Sequence, residues 1–384
     1  MKAWFLTLIG VAGAGVAVIV NEGAARSAAA QAWPAFVLVA GLLLVGLVAA
    51  ADGLFAAAGD ALRRACPHPL VLFCGLAVLI VVVSAVLNLD TAVAFLTPVA
   101  VSAGRSDGES SREGVSAALL PACILLANAG SLLLPGSNLT NLIVITHSGV
   151  SASTFLARMA LPWVVAGLIT AAVIAGASRD VLGSRHVPLK GDVVPSGLTG
   201  SAQTRVVIGV GAVATVAAVV AMLSISSPSL VVAAIGAVAA IVRVLDGGLQ
   251  VRRVARVLNL PVLVGLMGLA VGVGTLGRVW SGPSLLLGHL DALGTAAVAA
   301  ICTVAINNLP AASLLSAREV SHPLAMLVGL DVGPNLFVSG SLSWVLWISS
   351  AHACGVDPGL RRAVRIGLVA APLATLAGVA ALVL

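Results

Sequence analysis

The sequence predicts an all-α polytopic membrane protein built as an inverted repeat, each half carrying one re-entrant hairpin and one broken helix. Three observations predict it. Of the 384 residues, 60% are hydrophobic and 9% charged, the mean hydropathy is +1.14, and uncharged runs recur near the roughly 20 residues that cross a bilayer as a helix. Polar residues interrupt apolar stretches where hydrocarbon offers them no partner. The interruptions come twice in one order, hairpin then broken helix, at 68 to 148 and at 290 to 350.

The chain opens with "MKAWFLTLIGVAGAGVAVIV", where Lys2 precedes an apolar run as in a secretory signal. Further spans follow without a clean cleavage site, so it reads as the first helix, and 34 to 50 as the second. In "DGLFAAAGDALRRACPH" (52 to 68) polar residues alternate with apolar ones as in a helix lying along the interface. Between Arg64 and Arg105 the only formal charge is Asp90, within "AVLNLDTAVAFLTPVAV". Residues 70 to 87 are long enough to span, but 91 to 104 reach only roughly 21 Å against a core of about 30 Å. The second limb must turn back, which places a non-helical tip near Asn88 to Thr91 inside protein or a watery cavity.

Residues 114 to 157 carry no Asp, Glu, Lys or Arg, yet "LANAGSLLLPGSNLTNLIV" sets Asn128, Pro135, Gly136, Ser137, Asn138, Thr140 and Asn141 at the centre. Gly and Pro unwind a membrane helix, and the freed carbonyls and half-helix ends become available to ligands. After a crossing at 159 to 178, the polar stretch 179 to 204 reads as a linker. Crossings at 205 to 224, 228 to 242 and 259 to 277 follow, and "SGPSLLLGHLDALG" (281 to 294) is a counterpart to the first interfacial helix. In "ALGTAAVAAICTVAINNLPAASLLSA" (292 to 317), Asn307, Asn308 and Pro310 leave limbs of roughly 22 and 10 Å, too short to cross. The second broken helix, 323 to 350, contains "GLDVGPNLFVSGSLSWVLW" with Asp331, Gly333, Pro334, Asn335, Gly340 and Ser341, and 363 to 384 closes the chain.

With the hairpins non-crossing and 114 to 148 and 323 to 350 each crossing once, one side receives only Arg26, Arg158, Arg278 and Arg318 of the 20 basic residues. The positive-inside rule makes the other side cytoplasmic, with the N-terminus inside and the C-terminus outside. The two hairpins then open to opposite sides, as inversion requires. Four crossings in the first half and five in the second suggest that the first half lacks one leading helix. The expected organisation is scaffold helices at 1-67, a transport half at 68-178, a cytoplasmic linker at 179-204, scaffold helices at 205-289 and a second transport half at 290-384.

Composition also excludes. The net charge of +6 is explained by orientation signals in short loops, and no nucleic-acid site is read. The five cysteines form no C-x-x-C or Cys/His cluster, so neither a disulfide framework nor a zinc site is indicated. No metal motif, phosphate loop or sizeable soluble domain supports an enzyme, and no cofactor is expected.

Intramembrane carboxylates are costly, of order 2.5 to 3.5 kcal/mol for Asp on insertion scales, which makes Asp90 and Asp331 candidates for proton or cation coupling. The alternatives are a cap at the tip for Asp90 and an N-cap near the interface for Asp331. Candidate solute ligands are Asn88, Thr91, Ser137, Asn138, Asn141, Asn307, Asn308, Asn335 and Ser341, whose amides and hydroxyls suit a small polyhydroxy solute or a weakly held cation. Each has a plainer alternative, hydrogen bonding to unwound backbone. No Lys or Arg lies in this set, which tilts the reading toward a neutral solute or a cation exchanged for protons.

"NLDTAVAFLTPV", "ANAGSLLLPGSNLTNLIVI", "INNLPAASLL" and "GLDVGPNLFVSGSLSWVLW" resemble, in order and spacing, the motifs of the arsenite/antimonite efflux permeases within the ion transporter superfamily, over roughly residues 34 to 384. That superfamily also holds sodium/proton antiporters and dicarboxylate or citrate carriers. Near residue 136 the permease pattern is closer to Gly-Asn-Pro-Thr-Asn, whereas this chain has Gly136, Ser137, Asn138, Leu139, Thr140 and Asn141, a departure at the substrate or ion site. The resemblance implies arsenite or antimonite export in exchange for protons by an elevator movement in a cell membrane, with a homodimer in contact with lipid and room for a cytoplasmic ATPase partner. The alternative within the same fold is a sodium/proton antiporter or a small carboxylate carrier.

Overall fold

The computed structural model describes residues 3–66, 68–104, 109–148, 150–183, 209–225 and 227–383, and every regular element among them is helical. The first half comprises α1 (Ala3–Val20), α2 (Glu22–Ala51), α3 (Leu54–Ala65), α4 (Pro69–Val86), α5 (Leu89–Ala103), α6 (Glu109–Gly130), a 3₁₀ turn at Pro135–Ser137, α7 (Leu139–Ser148) and α8 (Ala152–Ala177), followed by the short α9 (Arg179–Leu182). The second comprises α10 (Val210–Ser224), α11 (Ser229–Leu245), α12 (Val251–Leu258), α13 (Leu260–Val279), α14 (Gly282–Gly288), α15 (Ala292–Ile306) and α16 (Asn308–Leu315). It ends with α17 (Pro323–Val332), 3₁₀ turns at Gly333–Leu336 and Val338–Gly340, α18 (Ser343–Ala353) and α19 (Leu360–Val383).

The order of elements recurs. A long helix, a short helix, a helix pair, a helix broken by 3₁₀ turns and a final long helix appear as α2 to α8 and again as α13 to α19. Packing repeats the correspondence: α1 lies on α13, α11 lies on α2, and the two final helices, α8 and α19, lie on each other. In the first of these contacts a Cβ on Gly10 would run into the Gly265 carbonyl, and in the second a Cβ on Gly236 would run into that of Gly41. Small residues let membrane helices approach to backbone contact, where packing rather than hydrophobicity holds them. Helices α10 and α12 have no counterpart among the described residues of the first half.

Several boundaries differ from the sequence reading. Helix α2 starts at Glu22 rather than near residue 34, because Asn21 caps it, accepting a hydrogen bond from the Ala24 N–H at 2.9 Å, and the Ala-rich stretch that follows favours helix. Only Leu87 and Asn88 separate α4 from α5, so Asp90 and Thr91 belong to the first helical turn rather than to a non-helical tip. The second pair turns on Asn307 alone, at φ +74°, and Asn308 and Pro310 begin α16. An N-terminal Pro is compatible with helix, since its missing N–H is one that the first turn leaves unpaired anyway. Linker residues beyond Gly183 up to 208, with Arg105, Arg185, Lys190 and Arg205, lie outside the described residues.

Five helical stretches are long and apolar enough to cross a membrane: Glu22–Ala51, Pro69–Val86, Ala152–Ala177, Val251–Val279 and Leu360–Val383. The two helices of each pair pack on one another, α4 on α5 and α15 on α16. The second limbs, with 15 residues in α5 and 8 in α16, fall short of the roughly 20 needed for a crossing.

Candidate functional site

The site is assembled where four helices begin. Asn88 caps α5, its Oδ1 accepting from the Thr91 N–H at 2.6 Å, and Asn307 caps α16. Helices α7 and α18 resume after the two breaks, just beyond Asn138 and Ser341. Each start leaves backbone N–H groups without intrahelical partners and carries a partial positive charge.

Each half supplies a carboxylate to the other half's break. Helix α5 packs against α18, and the Ser343 hydroxyl donates to Asp90 Oδ1 at 2.6 Å. In the reciprocal contact α17 packs against α7, and Asp331 Oδ1 accepts from Asn138 Nδ2 at 2.9 Å and from the Thr140 hydroxyl at 2.5 Å. Asp331 is fully buried in the last turn of α17, which corrects the interfacial N-cap alternative. Asp90 is half-buried. Neither carboxylate has a basic partner: the ion pairs among the described residues are Arg26–Glu22, Arg179–Asp180, Arg243–Asp52 and Arg243–Asp246.

The breaks are also tied together directly. Asn128 Nδ2 donates to Asn335 Oδ1 at 2.8 Å, and Asn335 Nδ2 donates to the Leu125 carbonyl at 2.9 Å. The Trp344 indole N–H reaches the Pro334 carbonyl at 2.9 Å, closing the second break on itself.

These bonds sort the candidate residues. The Ser137 hydroxyl contacts the Ser131 and Leu134 carbonyls, and Asn141 Nδ2 donates to the same two carbonyls, so both side chains stabilise unwound backbone. Asn335 instead links the second break to Asn128 and the Leu125 carbonyl of α6. Asn307 Nδ2 donates to the Ser339 carbonyl at 3.2 Å, fixing the second pair against the second break. Asn308 is buried. Six buried polar atoms in this region have no protein partner among the described residues: Asn88 Nδ2, Thr91 Oγ1, Asn128 Oδ1, Asn141 Oδ1, Asp331 Oδ2 and Ser341 Oγ. Buried polar atoms without a protein partner call for one from outside the chain, a water, an ion or a solute.

The first helix pair is joined to the second break through Asp90 and Ser343, and the second pair through Asn307 and the Ser339 carbonyl. Sequence reasoning missed Ser343 and Ser131, ordinary small polar residues beside the breaks, and the bridge from the Arg278 guanidinium to Gln31 Oε1 at 2.7 Å. Gln31 Nε2 continues that bridge to the Ile143 carbonyl at 2.8 Å and the Ser316 hydroxyl at 3.1 Å. Cys123 is buried against the Leu96 carbonyl, and no cysteine among the described residues is disulfide-bonded.

Twice-repeated elements, paired helices and a polar interior built on two helix breaks are those of a multi-pass helical membrane protein. The signature of the citrate transporter family, CitMHS, matches residues 2–341, and the chain belongs to that family. Its fold is similar to the crystal structure of the YdaH transporter of Alcanivorax borkumensis, with a TM-score of 0.50 and 14% identity over 96% of this chain and 88% of that one. No curated protein matches the sequence. The superfamily expected from the motifs therefore stands, but the family is the citrate transporters rather than the arsenite/antimonite permeases, and arsenic transport has no support from these comparisons.

Proposed function

We propose that the protein is a secondary carrier of a small carboxylate, citrate or a close relative, moved together with protons or another cation. The observation that carries this reading is the reciprocal placement of Asp90 and Asp331 at the start of α18 and α7, surrounded by unpaired amide and hydroxyl atoms. Helix N-termini attract carboxylates through oriented N–H groups and a partial positive charge, so an anionic solute is bound without Lys or Arg. Two acidic side chains beside an anion repel it unless positive charge enters with it. Coupling therefore follows from the site's composition: the cation that neutralises Asp90 or Asp331 also admits the carboxylate.

In this reading Asn88, Thr91, Asn138, Asn308 and Ser341 contact the solute, while Ser137, Asn141, Asn307 and Asn335 hold the breaks open. Asp90 carries the coupling proton. The transport unit is 68-178 with 290-384, and it slides as an elevator against a scaffold of 1-67 with 205-289, the helix pairs entering the membrane from opposite sides. The N-terminus is cytoplasmic and the C-terminus extracytoplasmic.

Purified protein in proteoliposomes, given labelled citrate, arsenite and sodium in turn under an imposed pH gradient, tests the assignment. Citrate flux competed by other small carboxylates is expected. Arsenite flux without carboxylate flux returns the protein to arsenical export, and sodium-dependent collapse of the gradient alone makes it a sodium/proton antiporter.

A further inference from the structure

A second cavity lies away from the site, where the end of α2 meets α3, α5 and α12. It encloses about 180 Å³. Its floor is apolar, with Phe55 of α3 stacked on Phe95 of α5 at a centroid distance of 5.6 Å. Its rim carries Arg253 and Arg256 from α12, three residues apart and hence on one face of that helix. Neither arginine has an ion-pair partner among the described residues, although Asp60 also lines the cavity.

Both short helices have the character of elements lying in the membrane interface. Helix α12 buries none of its residues and sets three arginines among valines and leucines, and α3 ends on Arg63 and Arg64. A strongly amphipathic helix rich in arginine lies at headgroup level, attracted by anionic lipid at about 1 kcal/mol per basic residue. The chemistry is therefore layered. An apolar, aromatic-floored cavity lies beneath unpaired guanidinium groups, with one carboxylate beside them able to accept a hydroxyl.

From this arrangement we infer that the cavity is a binding site for an anionic phospholipid with a hydroxyl-bearing headgroup. Arg253 and Arg256 hold the phosphate, Asp60 accepts a headgroup hydroxyl, and the proximal part of one acyl chain packs against Phe55 and Phe95. Free phosphate does not suffice, because it leaves the apolar floor unfilled. The site is independent of which solute is carried, yet it touches the transport machinery: Phe95 and Pro98 belong to α5, the helix that begins at Asn88 and Asp90.

Full-length protein is purified in detergent and titrated with phosphatidylglycerol, phosphatidylcholine or inorganic phosphate, with lipid retention read by native mass spectrometry and the unfolding midpoint by thermal scan. Phosphatidylglycerol is expected to be retained and to raise the midpoint, with phosphatidylcholine and phosphate ineffective. The double variant R253Q/R256Q is expected to reduce retention at least tenfold. R252Q, which removes a charge from the same helix outside the cavity, should retain the lipid as the parent does. Ala56→Phe, which fills the cavity with both arginines in place, should also lose it. Equal retention of phosphatidylglycerol by R253Q/R256Q or by Ala56→Phe, equal retention of phosphatidylcholine, or an equal midpoint rise with phosphate alone overturns the inference.

Discussion

Asn128 Nδ2 donates to Asn335 Oδ1 at 2.8 Å across 207 positions of sequence, so the helix broken in the first half and the helix broken in the second are fastened by paired amides. Both residues are fully buried. The consequence is that neither break is a local defect. Each is joined to the other half by side-chain bonds as well as bonded within itself.

Truncating Asn335 should therefore act on both halves. Asn335→Ala leaves the Asn128 amide buried without its partner, which costs about 1 to 3 kcal/mol. Unfolding in detergent should show a loss of at least that size, and a loss below about 0.5 kcal/mol would mean that water satisfies the amide.

The Thr140 hydroxyl should matter through Asp331. Thr140→Val removes the 2.5 Å bond to Oδ1 and keeps the shape of the side chain, while Thr140→Ser retains the bond. Hydrogen bonds to charged groups are worth about 1.5 to 3 kcal/mol. In the transport assay Thr140→Val should shift the dependence on driving cation or pH, and Thr140→Ser should restore it. A uniform fall in activity with an unaltered cation profile would confine Asp331 to a structural role.

Movement of the transport unit should break the Gln31 bridge. Gln31 in α2 joins Ile143 of α7 and Ser316 just beyond α16, so it spans the proposed boundary between scaffold and moving unit. In a cysteine-free background, Q31C/S316C joined by a short thiol cross-linker should stop transport, and cleaving the linker should restore it. Full activity in the cross-linked protein contradicts relative motion at this boundary.

Much of this architecture is legible in the sequence because the bilayer removes alternatives. A lone Asp90 in an apolar run, and Pro135 with Gly136 in the middle of another, have few placements in hydrocarbon. The repeated order of hairpin and break followed from the same constraint. Which side chains serve the backbone and which remain free was not legible. Ser137 and Asn141 look like ligands in the sequence but satisfy carbonyls of their own break. Ser343 looks incidental but reaches Asp90. Such bonds depend on which helix starts are brought side by side, and local spacing holds no record of that. The family match favours the small-carboxylate alternative over the arsenite reading, and composition ranked them the other way for a related reason. The absence of Lys and Arg suggested a neutral cargo, whereas four helix starts offer a carboxylate partial charges that composition does not count.

The central claim is that Asp90 couples a cation to carboxylate movement, and Asp90→Asn tests it most directly. The substitution keeps an Oδ1 acceptor for the Ser343 hydroxyl, so the contact between α5 and α18 survives while the titratable group is lost. In proteoliposomes the variant is predicted to exchange citrate for citrate at equal pH at close to the parent rate, with pH-driven accumulation abolished. Undiminished concentrative uptake under the same gradient would contradict the account.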